Sequence, residues 1–464
     1  IISIIQLFTL LHVSQSIIDP RSVLDSLPSY KQYIDLRQKY VDITQDYPYG
    51  VDDFDCPKIE PTPGGAKDIH HLRPSDIKIV AALGDSLTAG REALTTKAMD
   101  FGTEYRGISF DAGGDEGLKT RTTIPNILSK FSPSVIGSSK GTRKGQFLSR
   151  SLPISEDFNV AISGARSIDL MSQVEELERR LNVSSNVNMN EDWKLITLFI
   201  GSNDLCAYQS NMTETSAESF GNRIREVLIR IKKNIPRSFI NLLPPFNVFA
   251  LLETHESVPF CVQFHKLACP SLFELSIDQG FDLFNRYVSS LIDLSNEMND
   301  ETFAVTLNPA LNLEKLPKIW GTPHYALLAV DCFHFSGMTH DVAAKIVWEN
   351  LMSSENDRTN ASDFSSLKLN NIKCPLESCP YLYTNKTKCT PTKPSLRVLI
   401  NREVDSTSKT DNGQMILMLI GIVMGLSLLA LGTLMTIVRF RRRYKKKMNE
   451  RTPLLTAHYY ETSF

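Results

Sequence analysis

The chain has 464 residues, 42% hydrophobic and 22% charged, which at about 100–200 residues per domain allows several domains or one large one with appendages. That composition excludes a disordered, collagenous or small disulfide-stapled protein. Net formal charge is −2, but residues 439–464 carry eight Lys/Arg against two Asp/Glu (+6), leaving −8 on residues 1–438; this excludes a general nucleic-acid binder with a basic folded face.

Residues 1–16 (IISIIQLFTLLHVSQS) form an apolar run ending in small residues, with Ser14 and Ser16 at −3 and −1 of a cleavage point. No Met begins the chain and no charged n-region precedes the run, so it reads as a signal peptide shortened at its start. Lys78–Gly84 (KIVAALG) is a short apolar run stopped at a Gly turn, predicting a buried strand, and Asp85, Ser86 and Leu87 follow it. Thr95–Gln146, rich in Gly and Ser, shows no period and predicts a functional loop or lid. Phe101, Phe110 and Leu118, expected to be exposed there, are candidates for an apolar entrance.

Asp157–Ser163 (DFNVAIS) predicts a second strand and Lys194–Gly201 (KLITLFIG) a third; Arg237–Leu243 and Thr302–Leu307 are a fourth and fifth. Apolar positions at three- and four-residue steps predict helices over Ser167–Leu181, Arg223–Ile235, Phe281–Met298 and Met338–Leu351, the last N-capped by Ser336. This alternation predicts an α/β fold with about five parallel strands and helices on both faces. No internal repeat is visible. Functional residues should cluster just after the strands, at their carboxyl ends.

A serine on the turn after a buried strand stands clear of the sheet, but its hydroxyl is a weak nucleophile without an oriented base. Of nine histidines, His12 falls in the signal and His458 in the tail; among the remaining seven, Asp331-Cys-Phe-His334 is the best offer. Three-residue spacing on a turn lets the carboxylate reach one imidazole nitrogen and leaves the other to face Ser86. Gly164 ends the second strand and Asn203 the third, a backbone N–H and an amide side chain suited to an oxyanion hole.

GDSLTAG (Gly84–Gly90), NVAISGA (Asn159–Ala165), IGSND (Ile200–Asp204) and DCFH (Asp331–His334) resemble the blocks of the GDSL or SGNH hydrolase superfamily. EYRGISFDAGG, TTIPNILSKF (Thr122–Phe131) and GSNDLC resemble its membrane-associated phospholipase B subgroup, across roughly residues 30–355. Ser202 stands where that subgroup often has a second Gly. The resemblance implies a flavodoxin-like three-layer fold and a serine esterase without cofactor or metal. Its catalytic residues would be Ser86, Asp331 and His334, its oxyanion hole Ser86, Gly164 and Asn203, and its substrates the acyl esters of glycerophospholipids and lysophospholipids. Members of the subgroup often carry several tandem hydrolase repeats. Alternatives are a superfamily esterase acting on another ester, or a catalytically silent surface binding protein. An α/β-hydrolase elbow at Gly137-Ser-Ser139-Lys-Gly141 is disfavoured, since no good strand precedes it.

Met415–Val438 is an uncharged run of 24 residues, long enough at 1.5 Å rise per residue to cross a hydrocarbon core of about 30 Å. Arg439–Lys447 follows it and places the tail in the cytoplasm. The expected layout is signal peptide 1–16, extracellular hydrolase domain 17–355, Cys-containing stalk 356–414, transmembrane helix 415–438 and cytoplasmic tail 439–464, a single-pass type I protein of the cell membrane. Glu450–Leu455 resembles an acidic-dileucine signal for an endocytic adaptor. All eight cysteines precede the span, as do the sequons at Asn182, Asn211, Asn360 and Asn385, consistent with disulfides and glycans outside the cell. Sequence does not choose the cysteine pairing. Cys261-x₃-His265-x₃-Cys269 has metal-like spacing, but a Cys261–Cys269 disulfide is the preferred reading in an oxidising compartment.

Overall fold

Four apolar runs form parallel strands: β1 (Ile77–Gly84), β2 (Trp193–Phe199), β3 (Ser238–Leu243) and β4 (Phe303–Leu307), hydrogen-bonded in the order β1-β2-β3-β4. Nearly every strand residue is buried, as expected of a parallel sheet covered on both faces. The computed structural model describes residues 24–144, 157–209, 211–319, 322–360 and 371–389. The segments expected to be a signal peptide (1–16), a membrane span (415–438) and a sorting motif (450–455) lie outside them. Among the described residues no helix is long and apolar enough to cross a membrane.

The second strand expected at Asp157–Ser163 is irregular, so the sheet has four regular strands rather than five. The segment still runs along the outer edge of β1: Ala82 N–H donates to Phe158 O at 3.0 Å, and Val160 N–H and Ile162 N–H donate to Ala82 O and Gly84 O at 2.9 and 3.1 Å. Two features interrupt it. Ile136 occupies the start of the same edge, exchanging bonds with Lys78 and Val80. Beyond the segment, the buried Arg106 guanidinium takes the carbonyls of Asn159 and Ala161 at 2.8 and 3.2 Å, where a neighbouring strand would otherwise pair.

Among the described residues the α-helices of five residues or more are α1 (Pro28–Ile43), α2 (Ile124–Phe131), α3 (Leu170–Val183), α4 (Ser202–Cys206), α5 (Ala217–Asn234), α6 (Pro259–Ala268), α7 (Ile277–Glu297) and α8 (Gly337–Leu351). Helices α3, α5 and α7 pack side by side, and α2 packs on α8, with Phe131 stacked on Trp348 at 5.6 Å. Ser336 caps α8 by accepting from Thr339 N–H, as its position in the sequence suggests.

Thr95–Lys144, expected to be a lid, folds inward instead. Phe101, Phe110 and Leu118 are 3%, 0% and 2% exposed. Phe110 packs edge-on against Phe199 at 5.8 Å, so these apolar groups build core and line no entrance. Burying an aromatic ring stabilises more than an aperiodic sequence suggests. Ser139 of the rejected elbow is likewise fully buried, its hydroxyl donating to the carbonyl of Arg106.

Asp341 at the start of α8 gathers the N-terminal segment. Its carboxylate accepts from Tyr47 Oη and Gly50 N–H at 3.0 Å each and from Thr122 N–H at 2.7 Å, and pairs with Lys345 at 2.7 Å. Both partners are buried. Asp341→Ala strands the Lys345 charge and is expected to cost about 3–5 kcal/mol in denaturant unfolding. Adding Lys345→Met should recover part of that loss rather than add to it.

All eight cysteines are paired: Cys56–Cys374, Cys206–Cys269, Cys261–Cys332 and Cys379–Cys389. The expected Cys261–Cys269 bridge is therefore corrected. Cys261 lies in α6 and Cys269 caps it; eight residues of helix separate their Cα atoms by about 12 Å, well beyond disulfide reach. The described residues all fall within one compact unit ending at Cys389. It includes residues 371–389, from the stretch assigned to the stalk. Here Leu382 N–H donates to Leu72 O at 2.8 Å and Tyr383 N–H to Leu351 O at 2.9 Å.

Candidate active site

Each regular strand near the sheet's outer edge delivers a residue to one place. After β1, Asp85 and Ser86 form a turn in which Asp85 Oδ1 accepts from Leu87 N–H at 2.9 Å and Ser86 O accepts from Arg91 N–H at 2.9 Å. After the edge segment, Gly164 turns with φ +79°, a left-handed conformation open to glycine. After β2, Gly201 turns at φ +120° and α4 begins, carrying Asn203. Asn203 Nδ2 donates to Ala165 O at 3.0 Å, next to Gly164, and the Asn203 side chain lowers the pKa of Asp85, the residue before Ser86. The three predicted oxyanion contributors, Ser86, Gly164 and Asn203, are thereby drawn together.

The candidate base, His334, arrives from a segment far along the chain from Ser86. Residues 327–336 form a short hairpin, with Leu328 bridging Phe335 and Ala329 N–H donating to His334 O at 2.8 Å. His334 Nε2 stands 2.8 Å from Ser86 Oγ, and Nδ1 stands 2.5 Å from Asp331 Oδ2. Asp331 Oδ1 accepts from Phe333 N–H and His334 N–H, both at 3.0 Å. Ser86, Asp331 and His334 are all at least nine-tenths buried. Burial would raise the Asp331 pKa, but the facing charge of His334 and these hydrogen bonds hold it below the usual range. Nearby Glu92 is pushed up by burial and by the charge of Asp331, so the negative charge rests on Asp331.

Several supporting residues lie in the motif blocks of the sequence but are not among its predicted site residues. Asp204 accepts from Ser167 N–H and Oγ at 2.8 and 2.6 Å, tying α4 to the loop after Gly164; burial pushes its pKa up to about 6. Burial likewise pushes Asp85 up to about 7. Arg106 pairs with Glu104 at 3.0 Å, and Glu104 accepts from Ser163 Oγ at 2.7 Å, beside Gly164. Both lie in the EYRG block, whose short polar pattern says nothing of burial. Ser202 Oγ accepts from Phe246 N–H at 3.2 Å. Phe246 then packs edge-on against Phe335, the residue after His334, at 5.2 Å. Phe246 and Phe335, with Leu311, Leu316, Leu328 and Val342, line an apolar cavity on this rim of the sheet.

His265, the metal candidate, has its neighbouring thiols tied up in disulfides to Cys332 and Cys206. Its imidazole contacts the Cys332 carbonyl instead. The sequons at Asn182, Asn211 and Asn385 are exposed; Asn360 is half-buried and donates to Asn312 O at 2.9 Å.

Comparison with known proteins agrees with this geometry. The model of the GDSL-like lipase/acylhydrolase family matches residues 80–347. The chain is 35% identical over 347 residues to membrane-associated phospholipase B1 of Mus musculus, and 33% identical over 355 and 340 residues to the proteins of that name in Rattus norvegicus and Homo sapiens. These matches cover 72% of the chain and 23% of each relative, so the chain spans about a quarter of their length. With Ser86, His334 and Asp331 meeting at the strand ends and the family model matching residues 80–347, more than half of its length, this chain belongs to the GDSL-like lipase/acylhydrolase family.

Proposed function

We infer that the protein is a serine esterase that releases fatty acids from glycerophospholipids and lysophospholipids through an acyl-Ser86 intermediate. The observation that carries the reading is the hydrogen-bonded line from Ser86 Oγ through His334 to Asp331. As Ser86 Oγ bonds to the ester carbonyl carbon, His334 Nε2 takes its proton, and Asp331 holds Nδ1–H and stabilises the imidazolium. The carbonyl oxygen becomes an oxyanion facing the Ser86 and Gly164 N–H groups and the Asn203 amide. His334 returns the proton to the leaving alcohol. Water, deprotonated by the same imidazole, then bonds to the acyl carbon; the bond from that carbon to Ser86 Oγ breaks, His334 returns the proton to Oγ, and the fatty acid leaves.

Lipid substrates are supported by the apolar cavity walled by Phe246 and Phe335, and by the phospholipase B1 relatives. The uncharged run at 415–438, the basic residues after it and the four disulfides support a type I protein with this domain outside the cell. In this reading the exposed sequons carry glycans and Glu450–Leu455 engages an endocytic adaptor.

The test is fatty-acid release from diacyl- and lysophospholipid micelles, beside a short-chain soluble ester, with chelator present. Release from both lipids, indifferent to chelator, is the expected result. Turnover of the short ester alone would move the substrate class to other esters, and no turnover of any ester would leave a surface binding protein.

A further inference from the structure

Two catalytic parts of this site sit on pieces of chain too short to hold themselves. Helix α4, which presents Asn203, is five residues long, and a helix of that length is not stable alone. The hairpin presenting Asp331 and His334 passes through Cys332 at φ +62°, a left-handed conformation unfavourable for a residue with a side chain. Both are fastened to the same neighbour, α6.

Cys261 and His265 lie one turn apart on α6, so their side chains share a face. Both meet Cys332: Cys261 through the disulfide, His265 through Nε2, 2.8 Å from the Cys332 carbonyl oxygen. His265 is fully buried, and burial pushes its pKa down to about 4, so the ring is neutral near pH 7. A carbonyl can only accept, so Nε2 carries the proton. Nδ1 is then the acceptor and receives a hydrogen bond from His255 Nε2–H at 2.9 Å. At the other end of α6, Cys269 is joined to Cys206, the last residue of α4. Tyr33 of α1 stacks on Phe260 of α6 at 5.7 Å and donates from Oη to Ala329 O at 2.6 Å, backing the same hairpin.

We propose that α6 is a brace that sets the spacing between the general base and the Asn203 oxyanion donor, with His265 as a positioning residue acting through the Cys332 carbonyl. The proposal rests on the triad inferred above. It explains why Cys261, His265 and Cys269 recur at four-residue steps without binding a metal: each anchors a different bond from one short helix to the catalytic loops.

The experiment compares three double variants of the full chain, Cys56→Ala with Cys374→Ala, Cys206→Ala with Cys269→Ala, and Cys261→Ala with Cys332→Ala. Thermal midpoint, kcat and KM are read on a soluble ester. The pairs are separated by 318, 63 and 71 residues, and a disulfide closing a longer loop stabilises more. Losing Cys56–Cys374 should therefore lower the midpoint most and leave kcat nearly unchanged. Losing either α6 bridge should lower kcat about 10- to 100-fold with KM held within about two-fold, as expected for ångström-scale misplacement. Activity losses that follow the stability order overturn the brace.

His265→Leu and His265→Gln carry the same test without touching a disulfide. The glutamine amide can present an N–H where Nε2 stood. It should return kcat to within about three-fold of wild type, while leucine, leaving the Cys332 carbonyl unpaired, should not. Equal kcat in the two variants overturns the role of His265. Ser86→Ala in the same series loses turnover with every bridge intact, so failure of the triad shows there and failure of the brace shows in the ranking.

Discussion

Ser86→Ala is expected to lower kcat by about 10⁴–10⁶-fold, and adding His334→Ala to it should cost almost nothing more. The reason is the 2.8 Å contact between Ser86 Oγ and His334 Nε2. Neither group is useful without the other: the hydroxyl needs a proton acceptor, and the imidazole has no other proton to take in the first step. What survives both deletions is the residual rate from the oxyanion donors and substrate binding. Steady-state kinetics of the two single variants and the double variant on one soluble ester provide the check. Losses that add would mean the two residues work independently and would count against the acyl-Ser86 route.

Asp331→Asn should lower kcat about 10⁴-fold while leaving the fold intact. Its geometry makes the direction unusually definite. Asp331 Oδ1 accepts from two backbone N–H groups, of Phe333 and His334. An asparagine must keep its oxygen toward those donors, so its NH₂ faces His334 Nδ1. That nitrogen then becomes the acceptor, and the ring proton moves to Nε2, pointing at Ser86 Oγ. An imidazole in this tautomer cannot take the serine proton. Retention of the thermal midpoint to within a few degrees, together with the kcat loss, separates a wrong tautomer from a broken hairpin. Wild-type kcat in this variant would show that Asp331 does not orient the base.

Much of the site was legible because parallel strands announce themselves. Each is a continuous apolar run stopped at a turn, and Ser86, Gly164 and Asn203 stand directly after such runs. Asp331 and His334 were readable as a pair because three-residue spacing on a turn is a local relation. What escaped was the long-range part. Helix α1 buries Tyr30, Tyr33 and Tyr40, residues whose polar tips mask an inward face. Phe101 and Phe110 sit in an aperiodic stretch, and no period marks them as core. Arg106 reads as a surface charge until the carbonyls of Asn159 and Ala161 are seen around it. Cys261 and Cys269 are near in sequence yet bond to residues 71 and 63 positions away from them. Proximity along the chain favoured the wrong pair, because rigid helix, which sequence spacing cannot reveal, holds the two apart.

The Cys56–Cys374 bridge closes a loop of chain that contains all four strands and every residue of the triad. A pull on the chain from before Cys56 and beyond Cys374 therefore runs through the sulfur–sulfur bond and bypasses the sheet. Hydrogen bonds between β1 and β2 would carry no load, and the pull would fall instead on the contacts of α1, such as Tyr33 Oη with Ala329 O, before it reached the sheet. A hydrolase tethered at its ends, to a bilayer or to neighbouring domains, would in this way keep its sheet mechanically isolated while the bridge is intact; reduced, the same chain would transmit the pull directly into the strands.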